Sequence, residues 1–233
     1  MHLSNILEWD KKYLLTINNY ENKFLSIFMK IITFLGRETI YFTLIAFYIF
    51  VYYWRAGFIA VGSCLLYGLG ICYTLKVIID RKRPYNDEKI RIKIKLRDRK
   101  GSSSSFPSWH SYNVTSQVFI FYFIFDNYFI LIIGLVLAGL VAISRIYLGL
   151  HFPSDCIAGY LLGILGFLIS FFTFNSWYSL VLLVEQMAGF GLQPDQVINS
   201  FFRFSWYYII VIIVFFGIGF ASVFKYFFRK KEK

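Results

Sequence analysis

Hydrophobic positions in this chain fall in long runs, broken by short polar stretches. Six runs stand out, at about residues 38–54, 57–79, 110–125, 128–148, 153–173 and 205–224. A helix needs about 20 apolar residues to cross a bilayer. Only helices and closed barrels can span lipid without stranding backbone polar groups. The runs do not alternate, so they read as helices. Arg55-Ala56 and Asp126-Asn127 are very short connections and predict antiparallel hairpins. The expected fold is all-α: a polytopic transmembrane helical bundle of about six spans in a single membrane domain.

Shorter segments complete the outline. Residues 24–35 are apolar but carry Lys30 and stop at Gly36-Arg37-Glu38, which predicts an amphipathic helix at the membrane interface. Residues 1–22 are polar and mixed, without the apolar core of a signal peptide, so no cleavage is expected. Residues 177–204 read as a long connection with a Gly-Leu-Gln-Pro turn, folding back onto the membrane. The domain thus divides into an interfacial segment (1–37), a helical core (38–176), and a loop with a last span and basic tail (177–233).

Composition supports the membrane assignment, with 58% hydrophobic and only 16% charged residues. Cys64, Cys72 and Cys156 lie in apolar runs without metal-site spacing and read as small core residues. The net charge of +11 is unevenly placed: Lys76 and residues 81–100 hold 11 of the 24 Lys+Arg, and the C-terminal tail five more. On an apolar bundle, such loops favour anionic lipid or an anionic substrate over nucleic acid. Six spans put both termini and the loops 80–109 and 149–152 on one side, with every Lys and Arg except Arg55 and Arg203. The positive-inside bias makes that side cytosolic. Residues 90–97 alternate strictly between apolar and basic, as a strand would. They serve either to gather a phosphate-bearing headgroup or as a plain topological anchor.

Three polar clusters interrupt this pattern, and polar side chains at membrane depth are functional candidates by default. Lys76 and Arg83 lie seven residues apart, about two helical turns, and share one stripe if the helix of the second run continues to Pro84. Two cations on one stripe suit a phosphate, or else form a basic anchor at a span's end. A serine-rich loop runs into Pro107, Ser108, Trp109 and His110, where a helix N-terminus favours an anion. The plainer alternative is an N-cap beside interfacial aromatics. Arg145, His151 and Asp155 close the set, with Asp155 one helical turn beyond His151. A carboxylate on one imidazole nitrogen leaves the other free to attack; interfacial charge pairing is the plainer reading.

Together these residues match phosphoryl transfer through a phosphohistidine. His151 is the expected nucleophile, Asp155 its orienting carboxylate, and His110 the general acid and base. Lys76, Arg83, Ser108, the Trp109 amide and Arg145 are expected to hold the phosphoryl oxygens. No acidic or His/Cys set suits magnesium or zinc, so neither metal nor cofactor is expected.

In these residues the chain resembles the type 2 phosphatidic acid phosphatase superfamily. That family carries, in order, Lys-x6-Arg-Pro, Pro-Ser-Gly-His and Ser-Arg-x5-His-x3-Asp. Lys76, Arg83 and Pro84 fit the first. Pro107, Ser108 and His110 fit the second, with Trp109 in place of glycine. Ser144, Arg145, His151 and Asp155 fit the third. The match covers about half the chain. The resemblance implies a helical bundle, metal-free hydrolysis and the roles above. Glycine lets backbone approach a phosphate closely; Trp109 either still donates its amide or lines the headgroup pocket. The family habit of an outward-facing site opposes the charge bias, and the side of the membrane stays open. The expected protein is a multi-pass cell-membrane hydrolase of a lipid phosphate or diphosphate. Alternatives are a phosphotransferase with the same intermediate or, less favoured, a non-enzymatic membrane protein.

Overall fold

Most of the chain is helical. The computed structural model describes residues 3–188, 195, 197–199, 201 and 204–227. The Gly-Leu-Gln-Pro turn at 191–194, Arg203 and the tail from 228 onward lie outside the described residues. The helices are α1 (Leu3–Asn19), α2 (Lys23–Phe34), α3 (Glu38–Ala46), α4 (Arg55–Ile79), α5 (Trp109–Phe125), α6 (Tyr128–Tyr147), α7 (Pro153–Met187) and α8 (Ser205–Phe227). Among the described residues four helices, α4, α6, α7 and α8, are long and apolar enough to cross a bilayer, and α2 with α3 and its π-helical end counts as a fifth if taken as one broken span. This is close to the six expected. The remaining candidate, α5, has 17 residues and carries Ser111, Asn113, Thr115, Ser116 and Gln117, all buried.

The chain forms two compact units. One comprises Met1–Arg37 and Cys64–Ile169, the other Glu38–Ser63 and Ser170–Lys233. In the first, α5 is the central helix, buried almost all round from Ser111 to Val118. Small residues let membrane helices approach closely where the hydrophobic effect cannot drive association. Gly159 on α7 shows the fit: a β-carbon there would stand 2.3 Å from the Ser108 carbonyl oxygen. Tyr112 donates its hydroxyl hydrogen to the Cys64 carbonyl at 2.7 Å. The apolar residues left exposed on α6 and α7, such as Ile132, Val136, Leu161 and Leu165, form the kind of surface that a membrane bundle turns to lipid.

Both N-terminal helices belong to this unit. Leu14 packs with Ile90, Ile146, Phe152 and Cys156. Asn18 is fully buried and donates to the carbonyls of Lys95 and Tyr147 at 3.0 and 2.9 Å. Helix α2 is capped by the Asn22 side chain, which accepts from the Leu25 amide. Its Ser26 hydroxyl meets the Tyr147 hydroxyl at 2.8 Å. The expected short helix is therefore present, with Met29 and Thr33 buried in the protein.

Helix α4 ends at Ile79, where the second apolar run ends, and does not continue to Pro84; Asp80 turns the chain with φ +37°. Two other local readings differ from the structure. Residues 90–97 form no strand: Arg91–Lys93 is a 3-10 turn, and Ile92 is 92% exposed while Ile90 is buried. A period of two makes a strand only where another strand pairs with it, and the Lys95 amide instead donates to the Asn18 side chain. Helix α7 continues to Met187, well past the boundary expected near residue 176.

In the second unit, β1 (Tyr52–Tyr53) and β2 (Val197–Ile198) pair antiparallel. Buried Arg55 makes a two-pronged contact with Glu185 at 3.0 and 2.7 Å, and Tyr53 hydrogen-bonds the same carboxylate. The Arg55 amide donates to Asp195 at 2.8 Å.

Candidate active site

The site is assembled where α4, α5, α6 and α7 end or begin. After Asp80 the chain runs beside the serine loop, with the Ser105 amide donating to the Arg81 carbonyl at 2.8 Å. Lys76 and Arg83 therefore converge through that loop and not along one continuous helix. The Lys76 ammonium donates to the carbonyls of Ser104 and Pro107, both at 2.8 Å. Arg83 is buried and donates to the Ser103 carbonyl at 2.7 Å and the Leu150 carbonyl at 3.2 Å.

Between α6 and α7, Gly149 adopts φ +77°, a conformation favourable only to glycine. That turn brings His151 back against the residues around Arg83. The His151 Nε2 lies 3.3 Å from the Arg83 guanidinium. A guanidinium only donates, so Nε2 is the acceptor and the ring proton sits on Nδ1. Nδ1 faces Asp155 Oδ2 at 3.6 Å, beyond hydrogen-bonding distance. The His–Asp hydrogen bond that the spacing suggests is thus open in this state. Burial first, then Arg83, Arg145 and Lys76, hold His151 well below the usual histidine range. The neutral, nucleophilic form is favoured accordingly.

Asp155 is fully buried and engaged elsewhere. It accepts from the Ser105 hydroxyl at 2.5 Å, the Phe152 amide at 2.8 Å and Arg81 at 2.6 Å. Ser108 caps α5: its oxygen accepts from the Ser111 amide, and its own amide donates to the Asp155 carbonyl at 2.9 Å. Trp109 is the first residue of α5, where an amide has no partner within the helix. Its ring stacks on Tyr112 at 5.4 Å between centroids, almost parallel. Arg145 is buried on α6 and donates to the Thr33 hydroxyl at 2.9 Å. His110 follows Trp109 and lies within electrostatic reach of Arg145, His151, Arg37 and Arg83.

All eight residues singled out from sequence therefore sit in one neighbourhood of one unit. The structure adds others. Gly36 packs so tightly on His110 that a β-carbon would lie 2.7 Å from that of the histidine. Thr33 holds Arg145, Ser105 holds Asp155, and Arg81 links Asp155 to Asp10 on α1. Ser105 lay inside the serine run and Arg81 inside the first cluster, but nothing in local spacing marks Thr33 or Asp10. The charged side chains facing His151 are mainly cations, and among the described residues no group of three or more His, Cys, Asp or Glu could hold a metal ion.

Comparison with known proteins follows the same lines. A family model described as the PAP2 superfamily matches residues 56–179. Phosphatidylglycerophosphatase B of Bacillus subtilis (strain 168) is 42% identical over 77 residues, covering 29% of this chain and 38% of that protein. Lipid A 4'-phosphatase of Bacteroides thetaiotaomicron is 25% identical over 118 residues, 48% of this chain and 52% of that protein. The chain thus spans about half or less of the curated relatives it matches. The crystal structure of a transmembrane PAP2-type phosphatidylglycerolphosphate phosphatase from Bacillus subtilis superposes with TM-score 0.59 and 27% identity, covering 75% of this chain and 89% of that one. Aquifex aeolicus LpxE superposes with TM-score 0.57 at 23% identity, covering 69% of this chain and 93% of that one, a likeness of fold.

Proposed function

Because the chain belongs to the PAP2 superfamily, we propose that it is a cell-membrane phosphatase that hydrolyses a lipid phosphate monoester through a phosphohistidine on His151, without a metal. One observation carries this reading most directly: the His151 Nε2 lone pair is aimed at the Arg83 guanidinium, 3.3 Å away. A phosphoryl group bound by Arg83 would present its phosphorus to that nitrogen.

In the first step Nε2 forms a bond to phosphorus while the bond from phosphorus to the lipid oxygen breaks. His110 protonates the departing oxygen. In the second step His110 takes a proton from water, the water oxygen attacks phosphorus, and the phosphorus–nitrogen bond breaks to release phosphate. Lys76, Arg83, Arg145, Ser108 and the Trp109 amide stabilise the charge on the phosphoryl oxygens. Asp155, already 3.6 Å from Nδ1, closes onto the imidazole as it becomes cationic. A cluster of cations performs the electrostatic work that a metal ion supplies elsewhere.

The names of the relatives support the substrate class. The matched Bacillus subtilis sequence and the matched Bacillus subtilis structure are both named for phosphatidylglycerophosphate, which makes that lipid the first candidate, ahead of a phosphorylated glycolipid. The test is phosphate release by purified protein in detergent with excess EDTA, from phosphatidylglycerophosphate, phosphatidate, a phosphorylated glycolipid and a polyprenyl diphosphate. Activity should persist in EDTA and vanish in His151→Ala. Loss of activity that added metal restores would overturn the metal-free reaction. Turnover by His151→Ala would overturn the nucleophile.

A further inference from the structure

The charge of Asp155 is shared with a second carboxylate. Arg81 lies between them, donating to Asp155 Oδ1 and Asp10 Oδ2, each at 2.6 Å. Its guanidinium also covers the Phe152 ring at 4.1 Å. Asp10 is fully buried, although it belongs to the polar first helix. It also accepts from the Ser154 amide at 2.8 Å and the Ser154 hydroxyl at 2.6 Å, which fastens it to the first turn of α7. Asp10 lies well before residue 56, where the family match begins.

We propose that Asp10 is a positioning residue which, through Arg81, sets how much of the Asp155 charge is left to serve His151. This rests on the phosphohistidine reading above. With Asp10 present, one guanidinium is divided between two carboxylates, and the triad carries a net negative charge. That surplus faces an imidazole that becomes cationic when phosphorylated. Without it, Arg81 would neutralise Asp155 alone. Among the described residues, the other groups facing His151 add no counter-charge: Arg83 and Lys76 flank the end of α4, Arg145 comes from α6 and His110 from α5. Asp155 from α7 is the carboxylate contact recorded for His151, so its effective charge decides how well the cationic state is tolerated.

The direction of the effect is fixed by sign. Removing a negative charge lowers the proton affinity of His151, so the acid limb of the pH–rate profile moves to lower pH. It also destabilises the phosphoimidazolium, so kcat falls. Removing Arg81 exposes two carboxylates and moves the limb to higher pH. The experiment records pH profiles of kcat and KM for phosphatidylglycerophosphate hydrolysis by full-length protein, wild type, Asp10→Asn, Asp10→Glu and Arg81→Gln. Asp10→Asn should shift the limb down by about one pH unit and lower kcat about tenfold, with KM within about twofold. Asp10→Glu should restore the wild-type limb, and Arg81→Gln should shift it up. The sign in either charge variant decides the matter if the other fails to fold. Leu14→Ala, which loosens α1 without changing charge, should lower the melting temperature and leave the limb in place. An unmoved limb in Asp10→Asn or Arg81→Gln, with His151→Ala inactive, overturns this inference alone. An active His151→Ala overturns it together with the phosphohistidine.

Discussion

Arg83→Lys separates geometry from charge at the centre of the site. Arg83 contacts the Ser103 carbonyl at 2.7 Å, the Leu150 carbonyl at 3.2 Å, the Ser103 hydroxyl at 3.3 Å and His151 Nε2 at 3.3 Å. A lysine ammonium keeps the positive charge but is a compact point, and from that stem it cannot occupy the three nitrogen positions of a planar fork. A charge-assisted hydrogen bond contributes about 1.5–3 kcal/mol. Losing one such bond to the phosphoryl group in the transition state therefore costs about 10²-fold in kcat. Losing the bonds to Ser103 and Leu150 frees the serine loop and adds to the loss. The assay is steady-state phosphate release in mixed micelles, with a thermal melt to confirm that the variant is folded. The expected result is a folded protein with kcat reduced about 10²-fold and Arg83→Ala scarcely worse. A lysine variant within about fivefold of wild type, at full stability, would show that charge suffices and refute the fork argument.

Three further outcomes follow from the packing and the electrostatics. Gly159→Ala would place a methyl 2.3 Å from the Ser108 carbonyl oxygen, so α5 and α7 must separate; a loss of about 1–3 kcal/mol should appear in thermal unfolding, and an unchanged melt would refute the close approach. As the proposed nucleophile His151 must be neutral to attack, and burial among Arg83, Arg145 and Lys76 keeps it neutral below the ordinary histidine range. Activity should therefore hold as pH falls through about 6.5 and be lost only lower, as the folded-state imidazole protonates; an acid limb above 7 would contradict this. The native cysteines are all buried, so single cysteines at exposed Lys12 and Lys100 report without background. An impermeant maleimide should reach both from the same side of the membrane, because α1 is tied to the loop after α4 through Asn18 and Lys95; labelling from opposite sides would refute that arrangement.

What the sequence disclosed, and what it hid, divides by the range of the interaction. Lys76, Arg83, His110, Arg145 and His151 could be found because each is a costly polar residue in or beside an apolar run, and such residues advertise themselves. The helices were visible for the complementary reason. Asp10 was hidden because one acidic residue in a mixed helix normally faces water, and its partners Arg81 and Ser154 lie 71 and 144 positions away. Thr33 was hidden likewise, since its contact with Arg145 spans 112 positions. The alternation at 90–97 misled because it comes from local fit: Ile90 joins Leu14 and Phe152 in the core, while Ile92 points outward. Residues 177–204 read as a connection, yet α7 runs on through Glu185, whose partner Arg55 lies 130 positions earlier.

Lysine is usually a swivelling point charge that follows whatever anion arrives. Here two of the three ammonium hydrogens of Lys76 are already spoken for by the Ser104 and Pro107 carbonyls. The third is left with a fixed bearing. A residue chosen by chemistry for its indifference to direction has been made into a pointer, so in the proposed role it would sort guests by where their oxygens lie as well as by how negative they are.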